Sequence, residues 1–275
     1  MKPDWLKVKI GSGDNFNKVR SIFKKQKLNT ICEEANCPNK AECFGNRTAT
    51  FLILGDICTR NCGYCSVKTG KPNKVDLEEP ERVANAVKKL GLNYVVITSV
   101  TRDDLDDGGA SVFADTIKKL KNICKVEVLI PDFKGNIDSL KKIINARPDV
   151  IGHNIEITKN LFKKARKQGN YDLSLELLKN IKNNIKTKSG FMIGLGENYR
   201  DVIETMEDLR DAKVDILTIG QYLQPSRQNL KVEKYYTPVE FENLKRIAVH
   251  FGFKVASGPF VRSSYKAKEL FESAR

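Results

Sequence analysis

Histidine is nearly absent from this chain: 275 residues contain two, His153 and His250. Both lie far from the cysteines, so a mixed Cys/His zinc site has no second ligand pair to draw on. No apolar run approaches the roughly 20 residues that a membrane-crossing helix needs. No apolar secretory segment follows Met1, which argues for a reducing, cytoplasmic setting and against a disulfide framework. The Gly-rich phosphate fingerprint of a dinucleotide fold is missing after the first predicted strand, where Leu54-Gly55-Asp56-Ile57-Cys58 runs into cysteines instead. Basic–aromatic clusters and zinc-finger spacings are missing too. What remains, 40% hydrophobic and 30% charged, reads as a soluble globular chain long enough for one α/β domain.

Cysteine is present where it is needed. Six of the seven fall in the first quarter, in two triplets. Cys32, Cys37 and Cys43 form C-x4-C-x5-C; Cys58, Cys62 and Cys65 form C-x3-C-x2-C. A tetrahedral zinc site or a four-cysteine cluster is closed by protein, whereas three thiolates leave one metal position for something else. Two triplets therefore point to two iron–sulfur clusters. Cys62 and Cys65 alone make a zinc-like pair, with no matching pair downstream. Cys124, the odd one, reads as an inert, partly buried thiol before an apolar strand.

The net charge is +14. Much of it is lysine in pairs such as Lys88-Lys89, Lys118-Lys119, Lys141-Lys142 and Lys163-Lys164, which read as solvated helix faces. Steering of an acidic protein partner is as consistent with this balance as nucleic acid is. Charge alone does not choose.

After the cysteines, near-continuous apolar runs predict buried strands at Ala49–Leu54, Tyr94–Thr98, Val126–Ile130, Val150–Gly152, Phe191–Ile193 and Ile216–Ile219. Helical spacing lies between them. Val83, Val87 and Leu90 form one apolar stripe, Phe113, Ile117 and Leu120 the next, then Leu173, Leu177 and Ile181. Val202, Met206 and Leu209 follow, and Phe241, Leu244, Ile247 and Ala248 form the last. Six β-α repeats predict a partial parallel (β/α)6 barrel, with a doubly wound open sheet as the competitor. The expected division is an N-terminal extension over 1–47, the barrel over 48–251 and a C-terminal extension over 252–275. Polar clusters follow the strands at Thr98–Asp104, His153–Glu156, Gly194–Glu197 and Gln221–Ser226. In parallel barrels that rim is where active sites gather.

At this point the motifs carry a resemblance. Cys58-Thr-Arg-Asn-Cys62-Gly-Tyr-Cys65 resembles the signature of the radical S-adenosylmethionine enzymes. The upstream triplet resembles the auxiliary-cluster motif of the lipoyl synthase family within that superfamily. Thr98-Ser-Val-Thr-Arg102-Asp-Asp-Leu105, Leu129-Ile-Pro-Asp-Phe133, Gly194-Leu-Gly-Glu197, Gly220-Gln-Tyr-Leu-Gln-Pro225-Ser and Gly258-Pro-Phe-Val-Arg262-Ser-Ser264-Tyr265 match the same family, so the likeness runs across nearly the whole chain. Two departures are visible. Ile157-Thr158-Lys159-Asn160 stands where the family commonly has Val-Pro, and the segment before Cys32 is brief.

The resemblance implies a sulfurtransferase with two [4Fe–4S] clusters and S-adenosylmethionine. Cys58, Cys62 and Cys65 are implied to hold the cluster that binds S-adenosylmethionine. Cys32, Cys37, Cys43 and Ser264 are implied to hold an auxiliary cluster that donates sulfur to carbons 6 and 8 of a protein-bound octanoyl-lysine. Tyr64 is implied to lie against the adenine, Asn154 and Glu156 by the ribose, and Thr98, Gly194 and Glu197 around the cofactor. Arg102 and Arg262 are further candidates near the reacting centre, with a structural ion pair as the rival reading of Arg102. The implied partners are octanoylated lipoyl carrier domains (of 2-oxoacid dehydrogenase acyltransferase subunits and the glycine-cleavage carrier protein), a flavodoxin- or ferredoxin-type electron donor and an iron–sulfur repair protein. Neither nucleic acid nor membrane is expected. The alternatives are a tRNA-modifying methylthio-transferring relative, which normally carries a further RNA-binding domain, and a non-enzymatic iron–sulfur carrier, which has no use for the barrel rim.

Overall fold

The computed structural model describes residues 3–8, 11–181 and 185–274. The chain divides into two compact units, one of Val8–Arg60 with Ser66–Ile151 and one of Met1–Lys7, Asn61–Cys65 and Gly152–Arg275.

The first unit opens with α1 (Asp14–Lys25), which buries Phe16, Val19 and Phe23. Strand β1 (Asn29–Thr30), α2 (Ile31–Glu34), α3 (Lys40–Gly45) and β2 (Thr50–Ile53) follow, then a small parallel pair, β3 (Ile57–Cys58) and β4 (Lys68–Thr69). Phe23 stacks on Phe51 of β2 with ring centroids 4.8 Å apart, and Phe16 meets Phe44 at 5.4 Å. These two aromatic contacts seat the cysteine-bearing helices against the sheet. Next come α4 (Glu79–Leu90), β5 (Tyr94–Ser99), α5 (Ala110–Leu120), β6 (Lys125–Leu129) and α6 (Ile137–Ala146). Acidic Glu79 and Glu81 sit in the first turn of α4, Lys88 and Lys89 in its last, and Gly91 ends it at φ 67°. This is the order the helix dipole and a left-handed C-terminal residue favour. Strands run in the order β1-β2-β5-β6. Thr50 pairs with Val96 and Tyr94 with Lys125 in parallel register, while β1 is antiparallel to β2.

Strand β7 (Val150–Gly152) is fully buried, and its last residue opens the second unit. There the chain forms α7 (Phe162–Ala165), α8 (Tyr171–Lys179), β8 (Lys186–Ile193), α9 (Tyr199–Asp211), β9 (Ile216–Gln221), α10 (Pro238–His250), β10 (Lys254–Gly258) and α11 (Ala267–Ser273). Strands β8, β9 and β10 are parallel, with Lys188 opposite Ile216 and Lys254 opposite the same residue. Capping boxes start α9 (Asn198 with Asp201) and α10 (Thr237 with Glu240). Each satisfies two amide groups that the helix itself leaves unbonded.

All six expected strands are present. Strand β8 starts at Lys186, well before Phe191, and the last strand, β10, was not expected. Leu177 is buried on α8, but Ile181 lies beyond that helix's end.

Candidate active site

The upstream cysteines are organised by short helices. Thr30 caps α2, its Oγ1 accepting from Cys32 N–H at 3.3 Å. Cys37 N–H then donates to Cys32 O at 3.1 Å, and Cys43 N–H to Asn39 O at 2.9 Å. Thr48 Oγ1 donates to Cys43 O at 2.9 Å. None of the seven cysteines forms a disulfide. Burial pushes the Cys43 thiol up to about 12, and the neighbouring Cys32 and Cys37 push the same way. A cation bound beside Cys43 would act against that shift and favour its thiolate. Among the described residues, no three His, Cys, Asp or Glu side chains gather around a single-ion position. A cluster of several irons takes each thiolate on a different metal atom and so does not require that gathering. Cys124, by contrast, is partly buried and its thiol is pushed up to about 11, mainly by burial and then by Asp149.

Cys58 sits on β3, and its Sγ accepts from Arg60 N–H at 3.4 Å. The Arg60 side chain is 3% exposed and lies between two carboxylates. Its Nε and Nη2 donate to Asp103 at 2.6 and 2.9 Å; its Nη1 and Nη2 donate to Asp132 at 2.6 and 2.7 Å. Burial alone disfavours the guanidinium charge, but the bonds to Asp103 and Asp132 outweigh it and hold Arg60 ionised. Thr59 adds a backbone tie, with Thr59 N–H donating to Thr101 O at 3.0 Å and Asp103 N–H to Thr59 Oγ1 at 3.1 Å. The loop between Cys58 and Cys62 is thus fixed by the segments after β5 and β6.

Leu54, at the end of β2, holds φ 68°, a left-handed conformation costly for a non-glycine residue. Its N–H donates to buried Glu79 at 2.7 Å, and its carbonyl accepts from Arg102 Nη1 at 3.2 Å. Arg102 also bonds Asp104 and the Asn73 carbonyl. Thr98 Oγ1 donates to Leu129 O at 3.0 Å. Both side chains are engaged within the scaffold.

In the second unit the turn Cys62–Cys65 closes on itself, Cys65 N–H donating to Cys62 O at 3.1 Å. Gly63 N–H donates to Ala165 O at 2.8 Å, and Asn229 Nδ2 donates to Cys65 O at 2.8 Å. Tyr64 packs on the apolar cluster of Ile157, Ala165, Leu195 and Tyr222. Burial raises its phenol, and Glu156 adds to the effect. Burial also raises Glu156, against the pull of Arg166, Asn154 and Arg262. Asn154 Nδ2 donates to Glu156 Oε1 at 3.1 Å, and Ser263 Oγ donates to Asn154 Oδ1 at 2.9 Å. Tyr64, Asn154, Glu156 and the Arg262–Ser264 turn therefore form one neighbourhood. Glu197 accepts from Gly194 N–H at 2.6 Å and Leu195 N–H at 2.9 Å, shaping its own loop. Gly194 sits at φ 110°, and a Cβ there would strike Gln221 Nε2. Sequence reasoning missed Arg60, Asp132, Arg166 and Ser263. Arg60, between two cysteines of one motif, and Asp132 and Ser263, inside two of the other quoted motifs, had a visible signal; Arg166 had none.

The Radical SAM superfamily model matches residues 52–209, and the model of the N-terminal domain of lipoyl synthase matches 1–37. The lipoyl synthase of Rubrobacter xylanophilus is 52% identical, covering 100% of this chain and 88% of that protein. That of Caldanaerobacter subterraneus subsp. tengcongensis is 53% identical, covering 100% and 98%. The chain belongs to the lipoyl synthase family of radical S-adenosylmethionine enzymes. Membership implies a [4Fe–4S] cluster and S-adenosylmethionine. The fold is shared with solved structures of low sequence identity. Streptococcus suis SuiB bound to S-adenosylmethionine superposes with a TM-score of 0.60 at 13% identity, over 89% of this chain and 56% of SuiB. Among the described residues no helix is long and apolar enough to cross a membrane.

Proposed function

We propose that the chain is a sulfurtransferase that inserts two sulfur atoms, at carbons 6 and 8, into an octanoyl-lysine of a lipoyl carrier domain. Two S-adenosylmethionine molecules are consumed per lipoyl group. Cys58, Cys62 and Cys65 would hold a [4Fe–4S] cluster that, with S-adenosylmethionine, supplies hydrogen abstraction from saturated carbon, and Cys32, Cys37, Cys43 and Ser264 would hold a second that supplies sulfur. The observation that carries this reading is identity above 50% to lipoyl synthases across the full chain, with both cysteine triplets intact.

The chain's own residues bind, orient and exclude water. Arg60 and its two carboxylates keep the Cys58–Cys62 loop from moving when its thiols are ionised. Tyr64 closes one side of the turn with an apolar face. Asn154, Glu156 and Arg262 offer hydroxyl- and carboxylate-binding groups in one neighbourhood, suited to the ribose and to the amino-acid end of the cofactor. Glu197 and Gly194 shape a loop proposed to lie beside the cofactor. Ser263 is committed to Asn154, which leaves Ser264 as the serine of this pair proposed for the second cluster.

The partners follow from the chemistry: octanoylated carrier domains, a flavodoxin- or ferredoxin-type donor and an iron–sulfur repair protein that restores the consumed cluster. Anaerobic reconstitution followed by incubation with S-adenosylmethionine and an octanoyl-lysyl peptide tests the reading. Methionine, 5′-deoxyadenosine and a peptide heavier by two sulfurs are expected. Cofactor cleavage without sulfur in the peptide would point to a different radical reaction.

A further inference from the structure

Two segments hold the Cys62–Cys65 turn through backbone and amide bonds. Ala165 accepts from Gly63 N–H at 2.8 Å, and Leu230 N–H donates to Gly63 O at 2.9 Å. These segments read Lys163-Lys164-Ala165-Arg166-Lys167 and Arg227-Gln228-Asn229-Leu230-Lys231, so six of ten residues are cationic and none is acidic. Lys164, Lys167, Arg227 and Lys231 are exposed, whereas Lys163 bonds the Gly169 carbonyl and Arg166 is buried. A dent of about 20 Å³ lies here, floored by Leu161, Ala165, Leu195 and Leu230 and rimmed by Lys164, Lys231 and one acid, Glu233. Ala165 and Leu195 belong to the apolar cluster on which both Leu230 and Tyr64, next to Cys65, pack. A solvated lysine face explains scattered charge. It does not explain a cationic rim around an apolar floor that is bonded to a metal-binding turn, which is the anatomy of a protein-docking patch.

The function proposed above, on which this inference rests, requires one electron from outside for each S-adenosylmethionine cleaved. We propose that the rim of Lys164, Lys167, Arg227 and Lys231 docks an acidic one-electron carrier protein, which reduces the cluster of Cys58, Cys62 and Cys65 through this dent. In each encounter the carrier loses one electron and the cluster gains one; no bond forms or breaks. An acidic carrier domain bearing the acyl chain fits the charge but not the shape. Its octanoyl-lysine arm must enter a cavity, and a pocket of about 20 Å³ admits no such chain. An electron needs only close apposition.

The test uses the reconstituted holoenzyme, wild type and the double variant Lys164→Glu/Lys231→Glu, with either dithionite or photoreduced flavodoxin as reductant. With dithionite the two proteins should cleave S-adenosylmethionine within about twofold of one another. With flavodoxin the variant should be slower by about tenfold or more, and its flavodoxin Kd, read by fluorescence anisotropy, should weaken similarly. Both differences should shrink as salt rises from about 50 to about 500 mM. Equal losses with both reductants would overturn the proposal, as would an unchanged flavodoxin Kd. So would a raised KM for the octanoylated carrier domain under dithionite, which would assign the patch to the acyl carrier. The wild-type dithionite reaction reports on the functional reading alone, and the Kd on the surface alone.

Discussion

Arg60 donates through Nε, Nη1 and Nη2 to two carboxylates, Asp103 and Asp132. Removing it takes from Asp132, 1% exposed, the guanidinium that donates to both of its oxygens. Arg60→Ala should therefore destabilise the protein by about 3–5 kcal/mol in urea unfolding. Arg60→Lys, which keeps the charge but loses the planar fork, should fall between. A loss under about 1 kcal/mol for the alanine variant would show that the network is not what holds the loop. Glu79 works differently. Burial raises its carboxyl from the ordinary 4.5 to about 7, opposed by the Leu54 amide and by Arg82. The folded state therefore prefers the neutral acid. The stability this group contributes is present below pH 4.5 and lost as pH rises through 7, a change of about 3 kcal/mol. Glu79→Gln keeps an acceptor for Leu54 N–H and does not ionise. It should match wild type near pH 4.5 and exceed it by up to about 3 kcal/mol near pH 8. A difference that does not vary with pH would remove this account.

The C-terminal turn depends on how closely β9 lets it approach. A Cβ on Gly220 would strike the Val261 carbonyl and come within 3.3 Å of Arg262 Nη1. Gly220→Ala should push away the turn that carries Arg262, Ser263 and Ser264. Sulfur insertion should then fall by about tenfold relative to S-adenosylmethionine cleavage, scored as lipoyl product per 5′-deoxyadenosine; an unchanged ratio would show that the turn's position is not critical. That approach was not legible in the sequence, because it links residues far apart along the chain and leaves no local pattern. Nor was β10, whose Lys254-Val-Ala-Ser-Gly is largely half-exposed and has two apolar residues. The start of β8 was hidden because Thr187, Lys188 and Ser189 are buried but polar, with Thr187 bonded to Asp215 and Lys213. The strands with unbroken apolar runs were legible because burial on both faces leaves the backbone no polar partner but a neighbouring strand. The cysteine spacings were legible as chemistry. The Arg60 network was not, since its partners lie 43 and 72 residues onward.

Across the whole molecule, the proposed function would have the two cysteine triplets make separable demands on iron. Each is organised by its own local structure. Thr30 and Thr48 frame Cys32 and Cys43, while Asn229 and Ala165 anchor the Cys62–Cys65 turn. None of these bonds is shared, although Ser66, next to Cys65, donates to the Glu34 carbonyl at 3.0 Å. Fully reconstituted wild type should bind about eight irons per chain, and Cys37→Ala about four. The variant should still produce 5′-deoxyadenosine from S-adenosylmethionine, because Cys58, Cys62 and Cys65 are untouched, while sulfur insertion into the octanoyl-lysyl peptide stops. The thiol environment points the same way. Burial first, then Cys32 and Cys37, pushes the Cys43 thiol up to about 12, so removing Cys37 relieves part of that shift on Cys43 without giving a four-iron cluster its third thiolate. If Cys37→Ala inserts sulfur at the wild-type rate, the upstream triplet is not the sulfur source. If it loses cofactor cleavage too, the triplets are not independent sites.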